Sequence, residues 1–126
     1  SGTGSEYCVG RLEADINSEL MDISSWRKLD HPVLSTADLP GESGPGHNSF
    51  VTDEMGNLLI VYHSRPDSHS YKECGSYSKD PLYDPCRHTR IKRVVFSSDR
   101  TPVINLLPDA EIRKGLEEVT AAVTVN

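Results

Sequence analysis

Gly44-Pro45-Gly46-His47-Asn48-Ser49-Phe50 is the stretch on which the reading of this chain turns. Glycines at 44 and 46 allow positive φ or a close backbone approach, and Pro45 fixes one φ between them. A turn of that kind aims one side chain, His47, in a set direction. It runs straight into an alternating strand expected over residues 48–52. A second strand is expected over 58–63, joined to the first by Asp53-Glu54-Met55-Gly56-Asn57. Gly56 there supplies the positive φ that a hairpin loop uses. A histidine held in this way can ligate a metal, touch a substrate or shift a neighbouring pKa. By itself the stretch reads equally well as a hairpin-type loop with a solvated histidine.

Outward from this point the pattern stays short-stranded. Residues 7–14 read as a strand with a bulge or close approach at Gly10. Residues 22–26 read as a single helical turn, and His31-Pro32-Val33-Leu34 as extended. Residues 39–46 read as loop. A long polar loop is expected over 65–87, and loops of that length are often functional. A strand over 89–97, a turn over 98–102 and a return over 103–107 follow. A short helix over 109–118 and a last strand over 119–125 complete an all-β, antiparallel expectation. Such spacing fits a sandwich, a barrel or propeller blades.

The composition narrows the function. The chain has 126 residues, 9 Gly and 8 Pro, and a net charge of -6. Its pI is about 5.3 and its mean hydropathy -0.47. No basic block stands out, so nucleic acid is a poor partner. No apolar run approaches the roughly 20 residues of a membrane span, so no membrane partner is expected. The three cysteines, Cys8, Cys74 and Cys86, lack zinc spacing. Cys74 and Cys86 flank one loop and can pair if oxidised, although free thiols are the favoured reading. The natural N-terminus is expected to lie upstream of Ser1, which leaves a cytoplasmic or secreted location open.

Read together, six segments resemble the C-terminal part of glycoside hydrolase family 43, its arabinofuranosidase-like branch in particular. They are Tyr7-Cys8-Val9-Gly10; Ser25-Trp26-Arg27-Lys28 with Pro32-Val33-Leu34; residues 44–50; Gly56-Asn57 with Val61-Tyr62-His63-Ser64-Arg65; Asp80-Pro81-Leu82-Tyr83-Asp84-Pro85; and Arg87-His88-Thr89-Arg90. They occur in the family's order over roughly residues 5–105. The resemblance implies a five-bladed β-propeller, of which residues 1–126 would be an incomplete part: the end of the fourth blade plus the fifth. It implies an inverting glycosidase acting on arabinan, arabinoxylan or their oligosaccharides, with arabinose or xylose as the sugar released. A non-catalytic carbohydrate-binding or structural propeller fragment is the alternative.

Inversion needs a water between general base and sugar, so the carboxyls sit about 6.5–9.5 Å apart. One stays protonated while the other stays ionised, so their environments differ. In the family these carboxylates come from the first three blades. No acid of this chain is therefore expected to be catalytic, and the N-terminal blades are the expected partner. Asp80 and Asp84 read as loop carboxylates. The resemblance makes His47 a lining of the central channel that contacts the substrate region, and a ligand of a possible calcium ion. It makes Arg87 a substrate-binding residue, whose guanidinium can hydrogen-bond sugar hydroxyls. Trp26 reads as a packing anchor between blades before it reads as a sugar platform. Asp99 precedes Arg100 where the family often has Asp-Gly, so that turn is expected to differ in type or be strained.

Overall fold

The computed structural model describes residues 4–66 and 86–107. Among them the regular structure is all-β and antiparallel, with two short 3-10 turns. Strands β1 (Leu12–Glu13) and β2 (Arg27–Lys28) form a two-stranded pair. Strands β3 (Glu42–Thr52), β4 (Leu58–Pro66) and β5 (His88–Arg93) form a three-stranded sheet with β4 in the middle. Strands β6 (Val95–Phe96) and β7 (Pro102–Val103) close a final hairpin. The expected single helical turn is present as Ile23–Ser25, with the Asp22 carboxylate accepting from the Ser24 amide at 2.8 Å. Residues 7–14 are less regular than expected. Val9 makes an isolated bridge to Leu34, and only Leu12 and Glu13 lie in a strand.

The β3–β4 connection forms as its sequence requires. Gly56 takes φ 82°. Asp53 Oδ1 accepts from the amides of Met55 and Asn57, at 2.9 and 2.8 Å. Such an Asx-type turn satisfies the backbone donors that the strands leave behind.

The main departure lies at the Gly-Pro-Gly-His stretch. Residues 39–46 are expected as loop, yet 42–46 belong to β3. The register explains why. From the Ser43–Arg65 pair to the Gly46–His63 pair, β3 advances three residues and β4 two. The next step, to Ser49–Val61, repeats that ratio. Each step is a bulge that absorbs one extra residue and lets the ladder continue. Pro45 has no N–H to donate and is tolerated because it sits at a bulge, where it is fully buried.

The core lies on one face of the sheet. Ile60 and Tyr62 point there and pack with Val9, Leu34, Leu39, Val94 and Ile104; Val33 and Leu58 lie against this cluster. Leu34 and Ile60 have no exposed surface. Each such side chain stabilises the fold by about 1.5–3 kcal/mol. The other face carries Val51 opposite Leu59 and Val61 opposite Ile91. There Val51 is 47% exposed and Ile91 61%.

Residues 67–85 and 108–126 lie outside the described residues. The expected long loop (beyond Pro66), the late helix and the last strand therefore fall there, as do Asp80 and Asp84.

Candidate functional site

The histidine turn is held from several sides. The Thr36 hydroxyl donates to the Ser5 carbonyl at 2.5 Å and accepts from the Gly44 amide at 3.0 Å. It thereby ties the N-terminal segment to the start of the turn. Gly44 has φ 61°, and a Cβ there would stand 2.7 Å from the Gly4 carbonyl oxygen. Conformation and space both demand glycine. At Gly46 a Cβ would run into the ring of Tyr7.

His47 itself has φ 49°, in the left-handed region that non-glycine residues rarely occupy. Its side chain is exposed. Its ring centroid lies 6.3 Å from that of His63, tilted by 33°. His63 stacks in turn on Tyr7, with centroids 5.7 Å apart and planes 29° apart. Three rings thus form a row at one end of the β3–β4–β5 sheet.

The same end carries the other expected site residue. Arg87 is partly buried and directly precedes β5. His88 pairs with Ser64 and Thr89 with His63. Strand alternation therefore sets Arg87 with Thr89 and His63, and His88 on the opposite side. His47, midway along β3, and Arg87, just before β5, lie on either side of the central strand β4, near His63, which pairs with both Gly46 and Thr89.

Sequence reasoning missed a carboxylate–arginine pair here. Glu42 accepts from Ser64 Oγ at 2.5 Å and from Arg90 Nε. Ser64 is fully buried. The pair joins the first residue of β3 to β5 across the central strand. It spans 48 positions of sequence, and no local pattern signals it. Tyr7 and His63 were also missed as neighbours of His47. The only available signal was the shared Gly-Pro-Gly-His and Tyr-His-Ser-Arg order.

Trp26 is half-open among the described residues. It is 41% exposed, and its Nε1 donates to the Leu20 carbonyl at 2.9 Å. Cys86 is disulfide-bonded, which overturns the favoured reading of a free thiol at that position. Cys8 is exposed and free.

The chemistry on offer is that of donors and an imidazole. A guanidinium and histidine rings can bind sugar hydroxyls and hold a nearby carboxylate ionised. Among the described residues, Glu42 is an acid near this end and is engaged by Ser64 and Arg90. Among the described residues no group of three or more His, Cys, Asp or Glu side chains could hold a metal ion. Calcium prefers oxygen donors, and the ring neighbours of His47 are aromatic. The described residues do not by themselves form a calcium site. No helix among them is long and apolar enough to cross a membrane.

Comparison with known proteins agrees with the resemblance. The extracellular exo-alpha-(1->5)-L-arabinofuranosidase of Streptomyces avermitilis is 42% identical over 103 residues, 81% of this chain and 20% of that protein. Alpha-L-arabinofuranosidase 43 of Humicola insolens is 35% identical over 111 residues, 86% of this chain and 22% of that protein. The crystal structure of alpha-L-arabinofuranosidase from Lactobacillus brevis superposes with a TM-score of 0.62 at 37% identity, over 74% of this chain and 27% of that one. The chain spans about a fifth of the curated relatives it matches. The model of glycosyl hydrolases family 43 matches residues 1–102, which include the histidine turn, the ring row and Arg87, and the chain belongs to that family.

Proposed function

We propose that this chain is the C-terminal portion of a five-bladed propeller, the end of the fourth blade plus the fifth. The assembled propeller removes terminal α-L-arabinofuranosyl residues from arabinan, arabinoxylan or their oligosaccharides, with inversion. The observation that carries this reading is the family match over residues 1–102. The arabinofuranosidase relatives favour arabinose over xylose.

In this reading His47 lines the channel and Arg87 binds the sugar in the innermost subsite. Arg87 donates to sugar hydroxyls and steadies a carboxylate of the reacting pair. His47 positions hydroxyls or water beside that pair. The general acid and base belong to earlier blades. A calcium ion bound by His47 would draw its oxygen donors from beyond the described residues, and no step is routed through it. Val51 and Ile91, exposed on one sheet face among the described residues, stand where a neighbouring blade would pack in this reading.

The test compares the complete polypeptide with this chain alone on para-nitrophenyl α-L-arabinofuranoside. Turnover by the complete polypeptide only is the expected result. Enzyme-like turnover by this chain alone would place the acid and base within it and overturn the reading. Turnover of the xyloside in place of the arabinoside would overturn the choice of sugar.

A further inference from the structure

We propose that Tyr7 and His63 are positioning residues that set the direction of the His47 ring, a role that rests on His47 serving the sugar-cleaving centre. Three observations converge. Tyr7 stacks on His63 at 5.7 Å, and His63 stands 6.3 Å from His47. The Tyr7 ring also occupies the space where a side chain on Gly46, the residue before His47, would lie. Finally, His47 holds φ 49°, a conformation that survives only where its surroundings over-determine it.

Tyr7 therefore acts on His47 by two routes. It fills the space over Gly46, which keeps the second bulge of β3 closed. It also backs His63, which in turn flanks the His47 ring. Thr36 holds the Tyr7 segment in place through its bonds to Ser5 and Gly44. Ring shape carries this role, and the phenol hydroxyl is not required. A phenylalanine at position 7 should do the same work, whereas an aliphatic side chain should not.

The experiment uses the complete polypeptide with its histidines carbon-13 labelled. Tyr7→Leu should lower kcat on para-nitrophenyl α-L-arabinofuranoside by about 10- to 100-fold, the range expected when a reacting arrangement is displaced by an ångström or so. KM should change far less. The ring signals of His63 and His47 should both move. Tyr7→Phe should keep both kcat and the ring signals. Should Tyr7→Leu fail to fold, His63→Phe against His63→Leu asks the same question, with the aromatic variant expected to keep the His47 signals. Wild-type kcat with unmoved His47 signals in Tyr7→Leu would overturn the proposal. So would a Tyr7→Phe that behaves like Tyr7→Leu. His47→Ala separates the two claims: wild-type turnover there overturns the site reading, and the His47 signals in Tyr7→Leu then judge the positioning alone.

Discussion

His47 concentrates the argument at the scale of one residue. Its φ of 49° costs about 1–2 kcal/mol for an L-residue with a side chain. Such strain persists where a side chain must point in one direction, which is why the outlier supports a functional reading. His47→Gly should relieve it. The variant should gain roughly 1 kcal/mol of stability and lose most of its activity on the arabinoside. Denaturation and turnover measured on the same preparation check this, and a loss of both stability and activity would contradict it. The sequence made His47 conspicuous because glycine and proline crowd it. It did not show the φ, since histidine, although enriched among non-glycine residues at positive φ, adopts it only in a small minority of cases. Nor did it show Tyr7 and His63, which reach His47 only through the N-terminal segment and the β3–β4 register.

Elements were legible to the extent that turn chemistry announced them. The Asp53–Asn57 connection and the Asp22-capped turn were readable because each places a carboxylate or glycine where the backbone needs it. The extent of β3 was not. Gly-Pro-Gly reads as a chain break, and only the two bulges reconcile it with a continuous ladder. The β6–β7 turn lies between these cases. Its expected departure is real: Arg100 takes φ 65° where the family often has glycine. Asp99 compensates by accepting from Ser97 Oγ at 2.5 Å and from the Thr101 amide at 2.9 Å. The Ser97 hydroxyl first, and then the Thr101 amide, lower its carboxyl from 3.8 to about 2. A depressed carboxyl stabilises the fold above its unfolded pKa, and that contribution is lost as pH falls through the folded one. Wild type should therefore protect the Thr101 amide from exchange better than Asp99→Asn at pH 5. The advantage should shrink as the pH falls from about 4 towards 2. An advantage that persists unchanged at pH 2 would contradict the assignment.

At the scale of the whole molecule, the described residues pack one face of the sheet and leave part of the other open. The core face is packed around Leu34 and Ile60, while Val51 and Ile91 stand open on the other. Composition spoke for short strands and turns, and the order of six segments spoke for a family. Neither could show which face of the sheet the described residues leave open, because that depends on pairing between residues as distant as Val51, Leu59 and Arg93. The acid and base remained illegible for a simpler reason. On the proposed reading they belong to blades that this chain does not supply. The chain would contribute a binding rim, and the complete propeller would contribute the reaction. A crystal structure of the complete polypeptide with L-arabinose bound tests that division most directly. The account predicts the sugar against the His47 and Arg87 end of the β3–β4–β5 sheet, with Arg87 hydrogen-bonded to it and two carboxylates from earlier blades flanking its anomeric carbon. Arabinose bound elsewhere, with that end of the sheet facing solvent, would contradict it.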